Sequence, residues 1–434
     1  MKLPSLVDFR SPRVLPAVIL LIGFVERVIF LALQGVQHAL GEAENVALSV
    51  ARDGSIADVF ARGSGLTAHV NPVLPSLAGS VYRVFGVQSA LSEWILALLS
   101  ISTVLAAGAV FCRAAGVAGI PRPARLGALA IFALLPISPD LETISFRVWE
   151  GGLASLLGAT VLLLALRADK AAALRYSHIL VLSLTAAFLF FINPALGLAA
   201  YGVVGLLLLR RAHPRTWIGH GAIVVAVLAA VLTPWTIRNY EVFGRIMPLR
   251  GNFGLELAVG NHPAAMHPGQ REAFVERLQT IHPLENQAAF DRMQAMGGEI
   301  PYAQAMGEEA KAWIHAHPGD FAQLCVRHAA QYYFPPRWQW NIYTGQISKS
   351  VLVRQPLLWT ISALGLIGAF AALFAWRTRM LYLATLAVVP VLPYIITQPV
   401  PRYRYIVLLP LLFLGADFAY RLLRRLRPDR SALS

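Results

Sequence analysis

The sequence is short of charge, of cysteine and of any recognisable metal-ligand spacing. Only 14% of its 434 residues are Asp, Glu, Lys or Arg, and 57% are hydrophobic, whereas a soluble domain carries roughly a quarter charged residues. That balance excludes an ordinary soluble globular protein. There are two cysteines. Cys112 ends an apolar run and Cys325 lies in a distant polar segment, which argues against a structural disulfide. The eleven histidines show no His-x-x-x-His or Cys/His spacing, and His315 and His317 diverge on a helix. No dedicated metal site is therefore expected, although acids at the membrane surface could hold a divalent ion loosely. A net charge of +14 would suit a nucleic-acid partner. Its distribution in short clusters between apolar runs points to membrane orientation instead.

What the sequence has in abundance is apolar runs near 20 residues, each long enough for a hydrocarbon core of roughly 30 Å. Ten spans are expected at about 14–36, 89–111, 126–138, 148–166, 178–193, 195–209, 217–236, 356–376, 380–397 and 405–420. The first contains Glu26 and Arg27 and lacks a small-residue cleavage site, so it reads as a retained span. With the N-terminus cytoplasmic, every basic cluster falls inside: Lys2/Arg10/Arg13, Arg113/Arg122/Arg125, Arg167/Lys170/Arg175, Arg210/Arg211/Arg215, Arg377/Arg379 and Arg421/Arg424/Arg425/Arg427/Arg430. The expectation is an all-α polytopic membrane protein with both termini cytoplasmic. Two polar segments, 37–88 and 237–355, fall on the outer face and carry amphipathic helical patterning. Three regions follow: 1–236, an outer-face segment 237–355, and 356–434.

The stretch 41-GEAENVALSVARDGS-55 places two carboxylates directly after the first span. Glu42 and Glu44 stand about 200° apart on a helix, so they face different ways. One of them beside a low-dielectric surface can serve as a general base, or both can be helix-start charges favoured by the macrodipole. His69 and Asn71 project from the turn in 65-GLTAHVNPVLP-75 and either hydrogen-bond a ligand or fix the turn. Glu150 heads the fourth span, where an ionisable group is costly; Asp140 and Glu142 read as solvated loop residues. Glu26 and Arg27 read as structural partners of groups on other spans.

These pieces, in order, resemble the GT-C integral-membrane glycosyltransferases, the superfamily of the dolichyl-phosphate-mannose protein mannosyltransferases and the bacterial lipid A aminoarabinose transferases. The resemblance rests on Glu42/Glu44, "VALSVA", "GLTAHVNPVLP" and "YRVFG", then on "LTPWTIRNYEVFGRIMPLRGNFGLELAVGNHP", "MGEEAKAWIHAHPGDFAQLCVRH" and "PYIITQPVPRYRYIVLLPLLFL". The usual Asp-Glu of the first motif is absent. Alignment through Ala47 puts Glu42 in the acidic position, and alignment through Ala51 puts Glu44 there. The resemblance implies an enzyme of a bacterial inner membrane that takes a sugar from a polyprenyl-phosphate donor. The acceptor is a lipid, glycan or protein, the configuration inverts, and a carboxylate acts as base. It implies phosphate contacts from Arg404, with Arg402 beside it and Arg238 and Arg245 as weaker candidates; Arg404 with Tyr403 and Tyr405 reads equally as an interfacial anchor, and Arg238 as an anchor at the exit of its span. It further implies a role for Glu150 towards an acceptor or metal. No glycine-rich loop follows a strand, which argues against direct use of a nucleotide-sugar. The competing class is a transporter, flippase or non-catalytic assembly protein for lipid-linked sugars. That class accounts for the spans but not for the long outer segment or the acid beside the first span, and no internal repeat is visible.

Overall fold

The structure is a computed structural model that describes residues 14–36, 41–135, 137–267, 269–340, 342 and 349–426. Lys2, Arg10, Arg13, Arg427 and Arg430 of the basic clusters lie outside the described residues. Among the described residues the chain is all-helical, with a single isolated β-bridge between Ala57 and Leu66. Apolar segments in lipid must satisfy their backbone internally, and the helix is how one segment does so alone.

Along the chain, α1 (Val14–Gln34) leads to α2 (Glu42–Asp53) and α3 (Val73–Phe85). There follow α4 (Ala90–Ala118), α5 (Arg122–Leu134), α6 (Pro139–Thr143), α7 (Gly151–Lys170), α8 (Tyr176–Ile192), α9 (Pro194–Arg211) and α10 (Trp217–Phe243). The second polar segment folds as α11 (Phe253–Gly260), α12 (Gln270–Ile281), α13 (Gln287–Ala295), α14 (Glu299–Ala316) and α15 (Pro318–Tyr333). The last part is α16 (Lys349–Phe374), α17 (Met380–Val388), α18 (Leu392–Ile395), α19 (Pro401–Arg404) and α20 (Leu408–Leu426).

Seven of these stretches are long and apolar enough to cross a membrane by themselves, so the protein is a polytopic helical membrane protein. The expected ten reduces to these seven, plus elements that are bent or short. The span expected at 126–138 is α5 followed by a 74° bend into 139–147, because Pro139 starts α6 with no amide to donate. The span expected at 178–193 is the 17-residue α8, and that at 380–397 is α17 and α18, interrupted by a turn of 3-10 helix containing Pro390. Helices α10 and α16 also run through residues 236/237 and 355/356, so the expected segment boundaries fall inside helices.

Small residues let the spans approach. A Cβ on Gly365 would sit 2.5 Å from the Leu411 carbonyl oxygen, and one on Gly368 2.5 Å from that of Leu414, so α16 lies backbone-to-backbone on α20. Buried charges are paired, as burial requires. Arg27, fully buried in α1, donates from Nε to Glu142 Oε2 at 2.6 Å and also to the Ala133 carbonyl at 2.7 Å. Tyr405 donates to the other Glu142 oxygen at 2.7 Å. Arg27 thus has the structural role expected of it, whereas Glu142 is not a solvated loop acid but the centre of a buried pair.

The two polar segments pack as one body. Val46, Val59, Phe60 and Val70 from the first share a core with Leu255, Leu257, Met293, Tyr302 and Met306 from the second. Within the first, Gly79 of α3 abuts the Ala47 carbonyl of α2; within the second, Gly254 of α11 abuts the Ala303 carbonyl of α14. The loop between α2 and the turn at 66–72 is built on Asp58, which takes a left-handed φ of 63°. Its Oδ1 accepts from the Gly63 amide at 3.0 Å and its Oδ2 from Arg52 at 2.6 Å. These contacts tie the loop to the end of α2.

Candidate functional site

Glu42 is the first residue of α2. Its N-cap, Gly41, is extended (φ −152°) and offers no side chain to the first turn, so the carboxylate meets the positive end of the helix. Two imidazoles converge on one of its oxygens. His69 Nε2 lies 2.9 Å and His282 Nε2 3.2 Å from Glu42 Oε1. Oε2 accepts from none of the described residues.

The His69 backbone and the His282 ring are each fixed by further hydrogen bonds. The His69 amide donates to Thr67 Oγ1 at 3.0 Å, and the Thr67 hydroxyl donates to Glu299 Oε2 at 2.6 Å. Glu299, at the start of α14, also accepts from the Ala68 amide at 2.6 Å, so one carboxylate clamps the turn. His282 closes α12 as its C-cap, and its Nδ1 accepts from the Leu284 amide at 3.3 Å. That places the ring proton on Nε2, directed at Glu42. Phe60 meets both rings edge-on, at 4.8 and 5.8 Å between centroids.

The electrostatics separate two carboxylates. Burial pushes the Glu42 carboxyl up, but the charge of His69 and the hydrogen bonds from His282 and His69 outweigh it. The group is held well below the usual carboxylate range. Burial lowers His69 in turn, and the Glu42 charge and hydrogen bond more than offset that, so His69 is raised. Glu256 of α11 moves the other way, raised first by burial and then by the Glu42 charge. The two carboxyls are thus shifted in opposite directions, Glu42 down by its imidazoles and Glu256 up by burial.

Cationic and aromatic groups flank this centre. The Arg402 guanidinium stacks 4.1 Å over the Trp149 ring and lies 3.5 Å from the Tyr403 hydroxyl. It feels the charge of both Glu42 and Glu150, and its buried Nε has no partner among the described residues. Glu150, N-cap of α7, accepts from Arg250 at 2.5 Å. Tyr403, Tyr394 and Tyr332 stack in series, with centroids 5.0 and 5.4 Å apart.

No family model and no curated protein matches the sequence. Among solved structures the chain is similar to an archaeal oligosaccharyltransferase, AglB from Archaeoglobus fulgidus, in complex with an inhibitory peptide and a dolichol-phosphate. That match has a TM-score of 0.52 and 14% identity, covering 96% of this chain and 52% of that one. A second is the Archaeoglobus fulgidus oligosaccharyltransferase in the apo form, with a TM-score of 0.54 and 14% identity, covering 98% and 52%. This chain has the GT-C fold. It spans about half the length of those two chains.

Within the GT-C frame, the residues expected from sequence divide into those that converge and those that do not. Glu42 and His69 meet, and Arg402 lies within the electrostatic reach of both Glu42 and Glu150. Glu44 points away: it is buried and accepts from the Tyr82 hydroxyl at 2.5 Å, which also lies 2.8 Å from Glu93. Arg404 is not at a lipid-accessible edge. It is buried, donating to the Tyr332 carbonyl at 3.2 Å and to Ser362 Oγ at 3.1 Å. Arg238 donates to the carbonyls of Thr67 and Ile56 and so ties the first loop to α10. Asn71 accepts from the Val73 amide and donates to the Phe191 carbonyl, the turn-fixing role. Arg245 is exposed. His282, Glu256 and Arg250 were not singled out from the sequence. His282 and Glu256 carry no motif spacing, and Arg250 is one more arginine in a basic chain.

Proposed function

We propose that the protein is a glycosyltransferase that moves a sugar from a polyprenyl-phosphate donor to an acceptor lipid, glycan or protein at the outer membrane surface. The observation that carries this reading is the Glu42 carboxylate, held by two imidazoles on one oxygen while its other oxygen accepts from none of the described residues, with the Arg402 guanidinium within its electrostatic reach. In the reaction the acceptor hydroxyl oxygen bonds to the anomeric carbon as the carbon–phosphate oxygen bond breaks. The bonding pair leaves with the phosphate, and the hydroxyl proton passes to Glu42 Oε2. A single displacement inverts the anomeric centre and needs one carboxylate at the acceptor rather than a nucleophilic pair. In this reading Arg402 takes up charge on the departing phosphate, as a planar donor fork does best.

The test is transfer from polyprenyl-phosphate sugars by the purified chain in detergent, with the anomeric configuration of the product read by NMR. Inverted product is the expected result. No turnover with any such donor, together with donor movement across proteoliposomes, would favour transport.

Two imidazoles and a carboxylate whose ligand atoms lie within 4.8 Å of one another are also a donor set that fits a divalent transition-metal ion. Glu42, His69 and His282 would hold it, His282 through Nε2 once its ring proton sits on Nδ1 and the Leu284 amide contact is released, and it would supply positive charge near the phosphate. Addition of Mn²⁺ or Zn²⁺ to chelator-treated protein is expected to raise the thermal midpoint, and His282→Ala to abolish that rise. An equal rise in the variant would exclude this triad as the ion's site.

A further inference from the structure

We propose that a second groove, between the start of α12, the end of α15 and the first turns of α16, seats the anionic phosphate head of a membrane lipid. The groove is a cleft of about 770 Å³, and none of its lining residues belongs to the Glu42 centre. Three arginines line it: Arg271, Arg327 and Arg337. Arg327 donates to the Ala265 carbonyl at 2.9 Å and Arg337 to the Gln355 side-chain oxygen at 3.1 Å. Both partners are neutral, so they position the guanidiniums without cancelling their charge. Arg271 pairs with the exposed Glu272 at 3.4 Å. Arg327 and Arg337 are therefore the fixed positive charge of the groove, in a side-chain type suited to phosphate.

Its position and its apolar side identify the source of that phosphate. Trp359 and Gln355 stand in the first turns of a membrane-crossing helix, so the groove opens where lipid headgroups lie. Phe334, Trp338 and Trp359 give it an aromatic wall, as interfacial sites have. The Trp338 indole N–H is buried and unpartnered among the described residues, a donor left for a ligand. The α12 N-terminus, whose Gly269 N-cap provides no capping side chain, adds backbone donors at the same mouth. A free phosphate would use the charge and leave the aromatic wall unused; a lipid uses both.

The experiment is binding of dioctanoyl phosphatidic acid to the full-length protein in detergent, measured by tryptophan quenching. Dioctanoyl phosphatidylcholine and inorganic phosphate are the comparison ligands. Phosphatidic acid is expected to bind about tenfold or more tightly than either, and Arg327→Gln/Arg337→Gln to lose about tenfold of that affinity. Arg337 is exposed, so Arg337→Gln alone preserves the fold, and a loss of about threefold is expected of it. Arg402→Gln, which alters the Glu42 centre, is expected to bind phosphatidic acid as the wild type does. Unchanged affinity in both groove variants would overturn the proposal. So would inorganic phosphate or phosphatidylcholine binding as tightly as phosphatidic acid, or loss of binding in Arg402→Gln alone.

Discussion

Replacing Glu42 by glutamine is expected to lower turnover by roughly 10²- to 10⁴-fold, the range a positioned general base contributes. The fold is expected to survive. Glutamine keeps the shape of the side chain, and its carbonyl oxygen can still accept from His282 Nε2, whose proton is fixed by the Leu284 amide on Nδ1. What it loses is the negative charge and the open Oε2. Glu44→Gln supplies the contrast. Glu44 is 2% exposed and bound to Tyr82, so its loss is expected to cost about 1–3 kcal/mol of stability, as for a buried hydrogen-bond partner. Turnover per folded molecule should stay within a few-fold of wild type. Steady-state assays and thermal melts on the same preparations check both arms. Equal turnover of Glu42→Gln and wild type would remove Glu42 from the chemistry. A collapse of turnover in folded Glu44→Gln would reassign the base to the other acid.

That contrast also shows what sequence can and cannot say. Helical periodicity alone put Glu42 and Glu44 on different faces, which is what the structure shows: one faces the two imidazoles, the other is locked behind Tyr82. Which face was which depends on where α3 and α12 pack, and that is tertiary information. The long spans were legible because a run such as Val14–Gln34 is apolar without interruption. The broken ones were not: the run at 126–138 reads as a crossing by itself, whereas the apolar stretch continues past Pro139 into a second helix bent by 74°. Glu142 was misread for a related reason. A carboxylate three residues after a proline looks like a loop acid until Arg27, 115 residues earlier, is brought against it. The triad of Glu42, His69 and His282 lay beyond any spacing rule, since its three members come from a helix start, a turn and a helix end.

Arg402 and Arg404 provide the second large effect, because the sequence resemblance favours Arg404 for the phosphate whereas the role proposed above falls to Arg402, two residues away. In the short helix α19 they point in different directions. Arg402 lies over Trp149 with its Nε unpartnered, within the field of Glu42 and Glu150; Arg404 is 3% exposed and spends its donors on Tyr332 and Ser362. Arg402→Gln is expected to reduce transfer by about 10²- to 10³-fold, the loss seen when one fixed donor to a developing charge is removed. Arg402→Lys should recover only a small part of that, because an ammonium neither stacks on Trp149 as a plane nor presents a two-pronged donor. Arg404→Gln is expected to behave differently. It removes a buried charge from two neutral partners, so the thermal midpoint shifts while turnover of the surviving folded protein changes little. The deciding readout is turnover per folded molecule at saturating donor, beside the melting curve. A phosphate-binding arginine loses turnover with an unchanged melt, and a structural one does the reverse. Turnover lost by folded Arg404→Gln and kept by Arg402→Gln would hand the phosphate role back to Arg404.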